Sequence, residues 1–179
     1  AALHRPAVEV AGDEAAADAG IAGGGNVILI PEIPFKFESV LAKVRSRIEK
    51  RYLFSILAVS EGAKPQGGGQ IFSRQGDEVF TPRLGGIGQV VGDYIDSQGF
   101  ETRVTVLGHT QRGGTPTARD RILATRMGAF AADLCGGSRW GTMAALRAGK
   151  MVEVTLQEAV GKKKLLSEDL YEVASTFFD

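Results

Sequence analysis

Two short, continuously apolar runs on either side of an amphipathic stretch constrain this chain more than any other feature. Asn26 to Ile30 is ended by Pro31, and Leu53 to Val59 reads the same way. Runs of this length suit strands buried on both faces of a parallel sheet. Between them Val40, Leu41, Val44 and Ile48 recur at helical spacing with lysines, arginines and glutamates on the other side, so Phe37 to Lys50 reads as a helix. Strand, helix, strand in that order calls for a right-handed parallel crossover and an α/β fold. The 24 glycines, clustered between periodic segments, fit many turns at strand ends.

The rest of the chain extends this pattern. Gln66 to Glu78 is polar and glycine-rich, a loop or an irregular hairpin. Thr81 before Pro82 resembles an N-cap with proline at the first helical position, opening a helix to about Gln98. Glu101 to Leu107 reads as a strand. Thr115-Pro116 again looks like a helix start, with Leu123, Met127, Phe130, Ala131 and Leu134 along one face as far as Gly136. Thr142 to Leu146 and Met151 to Thr155 read as short strands, and a last helix is expected from about Ser167.

The chemistry concentrates in Glu101 to Arg121, ETRVTVLGHTQRGGTPTARDR. A strand there delivers His109, Gln111 and Arg112 onto a Gly-Gly turn. A guanidinium offers a rigid fork of donors to phosphate oxygens, and an imidazole adds a donor whose charge follows pH, so Arg103, His109 and Arg112 can converge on one phosphate. Glu61 stands at the carboxyl end of a predicted parallel strand, where open α/β sheets bind ligands, and its carboxylate can accept from sugar hydroxyls. By position alone, these residues also read as a loop histidine, surface arginines and a solvated carboxylate. Gly86, Gly88 and Gly92 have the wrong spacing for a dinucleotide fingerprint, and Gly67-Gly68-Gly69 lacks the Gly-Lys-Ser/Thr of a P-loop, so both sets read as turn or packing glycines. Arg119, Asp120 and Arg121 read as a solvated first helical turn.

Composition excludes several partners. With 21 basic against 21 acidic residues, no net field attracts nucleic acid or an anionic membrane. No run reaches the roughly 18 apolar residues of a membrane span, and the opening residues show no signal-peptide pattern. Cys135, the one cysteine, excludes an internal disulfide and has no histidine cluster beside it for a metal. A cytoplasmic location is the expectation.

The turn Gly108, His109, Thr110, Gln111, Arg112, Gly113, Gly114 resembles the sugar-phosphate-binding segment of the 6-phosphofructokinases. Ala19 to Phe35, Phe54 to Pro65, Pro82 to Gly88 and Gly141 to Val160 agree in the same order, the last most like a bacterial branch that includes actinobacterial enzymes. The resemblance covers roughly Gly20 to Asp179. It implies a Rossmann-like parallel sheet with flanking helices, and binding of fructose 6-phosphate for phosphorylation at its 1-hydroxyl in glycolysis. The histidine and arginine of the turn, with Thr110 and Gln111 beside them, would hold the 6-phosphate, and Glu61 would contact the sugar. Arg103 would reach into a neighbouring subunit's site, which implies a homo-oligomer. Residues 1–112 and 161–179 would form the sugar-phosphate-binding domain, and 113–160 a segment of the donor-binding domain. The family's glycine-rich donor loops, and the aspartates that activate the hydroxyl and hold magnesium, have no match. The chain therefore reads as a carboxyl-terminal half that associates with a missing amino-terminal half, with Mg2+ and ATP or pyrophosphate implied by the family. No catalytic residue is assigned, and a non-catalytic sugar-phosphate-binding or regulatory chain is the alternative.

One stretch departs from the family. After Val8-Glu9-Val10 this chain has Ala11-Gly12-Asp13 where the family has Met-Gly-Arg, and an aspartate facing a phosphate would repel it. The arginine expected just before that strand is replaced by His4, with Arg5 displaced by one position.

Overall fold

The computed structural model describes residues 5–11, 13–69, 71–74, 83–84, 86–161, 166, 171–172 and 175. The chain divides into two compact units, Ala1–Arg112 with Leu166–Asp179, and Gly113–Leu165.

The first unit is built on four parallel strands: β1 (Arg5–Ala11), β2 (Val27–Leu29), β3 (Phe54–Ser60) and β6 (Arg103–Val106), in the order β2-β3-β1-β6. The apolar runs seen in the sequence are β2 and β3, joined in parallel register from Val27↔Leu57 to Leu29↔Val59. Helix α1 (Asp13–Ala22) follows β1, α2 (Phe37–Glu49) links β2 to β3, and α3 (Ile87–Ser97) precedes β6. Alternation along the strands splits the core between the two sheet faces. Leu57 and Val59 join Val8, Leu29, Val40, Val44, Ile87, Val91 and Ile95 on one face, while Ala58 joins Ala17, Ile28 and Ile30 on the other. Helices α2 and α3 thus cover one face and α1 the other, as an α/β layer arrangement requires.

Two glycines set how closely helices approach the sheet. A methyl group on Gly20 would sit 2.6 Å from Ile28 Cδ1 and 3.1 Å from Ala58 Cβ, and one on Gly92 would collide with Val104 Cγ2. These contacts seat α1 on β2 and β3, and α3 on β6, so Gly92 is a packing glycine. At the end of α2, the Arg47 guanidinium lies 4.2 Å from the Tyr52 ring and donates through Nε to Ser55 Oγ at 3.2 Å, tying the helix to the start of β3.

The region read as a loop or irregular hairpin contains β4 (Phe72–Arg74), paired antiparallel with β5 (Arg83–Leu84) through an irregular register. The expected helix start at Thr81-Pro82 lies outside the described residues, and α3 begins later. Arg83–Leu84 is extended, and the N-cap of α3 is Gly86 at φ 92°. The expected last helix lies largely outside the described residues, although Tyr171, Glu172 and Ser175 are helical.

The second unit holds α4 (Ala118–Gly136), the hairpin β7 (Thr142–Arg147) and β8 (Lys150–Thr155), and α5 (Leu156–Val160). Helix α4 starts two residues beyond Pro116. Thr117 is the N-cap, its hydroxyl accepting from the Asp120 N–H at 3.3 Å while the Asp120 carboxylate accepts from the Thr117 N–H at 2.8 Å. This reciprocal box outweighs the proline signal. The apolar stripe Leu123, Met127, Phe130, Ala131 and Leu134 is half-buried on the β7–β8 hairpin, and no residue of α4 is fully buried.

Candidate functional site

Parallel strands share one carboxyl edge, and the topology gathers most of the expected site there. Ser60 of β3 lies level with Ala11 of β1, and Val10 of β1 level with Val106 of β6. Glu61 leaves the end of β3 and the turn Gly108–Arg112 leaves the end of β6, with β1 between them. Two strand spacings put about 10 Å between the two exits.

The turn is a single 3-10 coil in which the Thr110 N–H donates to the Leu107 carbonyl at 2.9 Å. It is entered through Gly108 at φ 50°, and a methyl group there would meet no atom within 4 Å. Glycine is favoured here by conformation, since a side chain in the left-handed region costs about 1–2 kcal/mol. His109, Thr110, Gln111 and Arg112 are all exposed, and Glu61 is half-buried. Among the described residues His109 and Arg112 form no ion pair, which leaves two basic groups three positions apart on one short coil, suited to an oxyanion.

Arg103 stands apart from them along β6. It pairs with Ala7, three rungs before Val106, which places it about 10 Å back along the edge strand. The backbone of Arg103 thus enters the sheet a full strand length before the turn that carries His109 and Arg112. Arg103 lies toward the amino edge, near the exposed Arg5–Glu101 ion pair at 3.5 Å. His4 lies outside the described residues. Asp13 opens α1 at the carboxyl edge, but its side chain, and Gly12, also lie outside them.

Sequence reasoning overlooked the frame around Glu61. Ser60 and Ala63 are fully buried, the Ala63 N–H donates to the Ser60 carbonyl at 3.0 Å, and the Gly62 N–H donates to Ser60 Oγ at 3.1 Å. A serine closing an apolar strand just before Glu-Gly is the signal that would have found it.

A groove of ≈ 730 Å³ runs beside edge strand β2, lined among others by Asn26, Ile28, Phe35, Lys36, Lys43 and Tyr171. Burial raises the pKa of the Tyr171 hydroxyl above its ordinary value. The groove contains neither Glu61 nor the Gly108–Arg112 turn. Among the described residues no group of three or more His, Cys, Asp or Glu side chains can hold a metal ion, and no helix is long and apolar enough to cross a membrane.

Known proteins give this arrangement a family. A pyrophosphate–fructose 6-phosphate 1-phosphotransferase of Amycolatopsis methanolica is 47% identical over 176 residues, covering 96% of this chain and 51% of that protein. An ATP-dependent 6-phosphofructokinase of Chloroflexus aurantiacus is 48% identical over 144 residues, covering 80% of this chain and 39% of that protein. The chain thus spans about half or less of the length of these relatives. The solved pyrophosphate-dependent phosphofructokinase of Nitrosospira multiformis superposes with a TM-score of 0.68 at 24% identity, over 93% of this chain and 43% of that one, a likeness of fold. The sequence model described as phosphofructokinase matches residues 6–135, which contain the sheet, Glu61 and the whole histidine–arginine turn, and on that match the chain belongs to the phosphofructokinase family.

Proposed function

We propose that this chain supplies the sugar-phosphate-binding part of a 6-phosphofructokinase, holding fructose 6-phosphate for phosphoryl transfer to its 1-hydroxyl in cytoplasmic glycolysis. His109 and Arg112, flanked by Thr110 and Gln111, grip the 6-phosphate, and Glu61 accepts from the sugar hydroxyls. Arg103 serves the site of a neighbouring copy, so the working protein is a homo-oligomer. The observation that carries the reading is the exposed His109–Arg112 coil on the same sheet edge as Glu61. The position of Arg103, toward the other edge, supports its service to a second copy.

Residues 1–112 and 161–179 are assigned to the sugar-phosphate domain and 113–160 to a segment of the donor-binding domain, a reading supported by the break between Arg112 and Gly113. The family implies magnesium and a donor, ATP or pyrophosphate, which would supply the phosphoryl group and neutralise its charge. Relatives of nearly equal identity carry either donor's name, so identity does not choose between them. No residue of this chain is assigned to the ion or the donor. This chain's residues bind and orient the sugar phosphate. By itself it is expected to form no fructose 1,6-bisphosphate with ATP or pyrophosphate in a coupled assay, because placing donor, metal and base to within about 1 Å is what the rate depends on. Asp13 at the family's cation position favours a second reading, a non-catalytic chain that binds the sugar phosphate or regulates a catalytic partner.

Titration calorimetry with fructose 6-phosphate tests the assignment. Charge-assisted hydrogen bonds contribute about 1.5–3 kcal/mol each, so Arg112→Ala should weaken binding about tenfold or more. Equal affinity in wild type and variant would remove Arg112 from the site.

A further inference from the structure

We propose that Ser60 is a positioning residue for Glu61, its buried hydroxyl locking the turn that sets where the carboxylate meets the sugar. The proposal rests on the reading of Glu61 given above. Ser60 is 0% exposed at the last position of β3, and Ala63, three residues on, is also 0% exposed. The chain reverses between them in a tight turn closed by the Ala63 N–H on the Ser60 carbonyl at 3.0 Å. Inside that turn the Ser60 hydroxyl accepts the Gly62 N–H at 3.1 Å, and Gly62 is buried too. Of the four turn residues only Glu61 reaches solvent.

A buried backbone N–H needs a partner, and a serine at the first turn position is well placed to provide one. With both ends of the turn in the core and its middle amide held by Ser60, the backbone of Glu61 is fixed relative to β3. Through the register Ser60↔Ala11 and Val10↔Val106 it is also fixed relative to the strand that delivers the His109–Arg112 coil. A glutamate side chain has several free torsions, and mounting it on a fixed backbone reduces what must be ordered when a ligand binds. The coil grips phosphate whether or not Glu61 is held. The effect of Ser60 should therefore fall on the sugar and not on the phosphate.

Calorimetry on the full chain separates the two. Wild type, Ser60→Ala and Ser60→Thr are titrated with fructose 6-phosphate and, separately, with inorganic phosphate. Ser60→Ala is expected to weaken fructose 6-phosphate binding about tenfold, the effect of one hydrogen bond withdrawn from a buried amide. Ser60→Thr should restore it to within about threefold, because threonine keeps the hydroxyl and its β-branch suits a strand. Inorganic phosphate should bind all three alike. Equal fructose 6-phosphate affinity in wild type and Ser60→Ala overturns the proposal, and so does a matching loss of phosphate affinity, which would mark general damage. If Ser60→Ala does not fold, Ser60→Cys, with a thiol that accepts weakly, is compared with Ser60→Thr, and equal affinities again overturn it. A wild type that binds inorganic phosphate but not fructose 6-phosphate sinks the sugar reading itself, and shows this before any substitution is made.

Discussion

The two units of this chain reach order by different routes. In Ala1–Arg112 with Leu166–Asp179, order comes from burial: apart from Val154, every fully buried apolar side chain among the described residues lies there, and Val8, Leu57, Val59, Ile87, Val91 and Ile95 are completely shielded. In Gly113–Leu165 it comes from local bonds. Thr117 and Asp120 cap α4, Arg126 donates to the Gly149 carbonyl at 2.8 Å, and Arg147 pairs with Glu158 at 2.7 Å, while Trp140, Leu156 and Val160 stay exposed. Each local bond specifies geometry but contributes little by itself, whereas area removed from water scales with the number of buried side chains. The second unit is thus well specified and weakly held.

The largest test of this contrast is a pair of truncations. Leu57→Ala, in the middle of the sheet, should cost about 2–5 kcal/mol in urea denaturation, while Met143→Ala, on the half-exposed face of β7, should cost about 1 kcal/mol or less. Equal costs would break the comparison. Native-state hydrogen exchange sharpens it: amides of β3 and β1 should open only with global unfolding, and those of β7 and β8 at clearly lower free energy.

Smaller effects probe the local bonds. Thr117→Ala should lower protection in the first turn of α4 by about 1 kcal/mol and leave β3 untouched. The β7–β8 turn places Ala148 at φ 46° and Gly149 at φ 79°, a two-residue turn in which alanine is poorly suited. Ala148→Asn should therefore raise hairpin protection by up to about 1 kcal/mol, and a loss would contradict the strain. The smallest effect is a pH dependence. Hydrogen bonds from the Thr117 side chain and then its backbone N–H, with Arg119 nearby, hold the Asp120 carboxyl below its ordinary value. A depressed carboxyl pKa contributes stability above the unfolded value and loses it as pH falls through the folded one, so protection at the start of α4 should hold from neutral pH and decline below about pH 4. Asp120→Asn should flatten that decline.

Parts of this molecule were plain in the sequence because they rest on local pattern. The runs around Val27–Leu29 and Phe54–Ser60 are strands, and Phe37–Glu49 is a helix with Val40, Leu41 and Val44 inward. The order β2-β3-β1-β6 could not be read, since side-chain periodicity carries no information on which strand pairs with which. Helix starts misled for a related reason. Thr-Pro pairs at Thr81 and Thr115 carry a generic N-terminal signal, while α4 starts where Thr117 and Asp120 satisfy each other and α3 starts after Gly86 turns the chain. Around the candidate site, the residue types came from the motif. That Glu61 and the His109–Arg112 coil share an edge, while Arg103 stands back from it, came only from strand register.

The central place of β1 has a consequence for how the sheet assembles. Arg5–Ala11 is flanked by Phe54–Ser60 on one side and Arg103–Val106 on the other, so both of its neighbours come much later in the chain. On a ribosome the strand stays unpaired until Phe54–Ser60 has emerged, and its other edge stays open until Arg103–Val106 follows. Within the four-stranded sheet, β2 and β3, joined through α2, are the paired strands nearest in sequence. Closing long loops before contacts repay the lost entropy slows folding and prolongs the life of an open strand, so a β2–α2–β3 nucleus with β1 and β6 docking afterwards is the assembly order this topology favours.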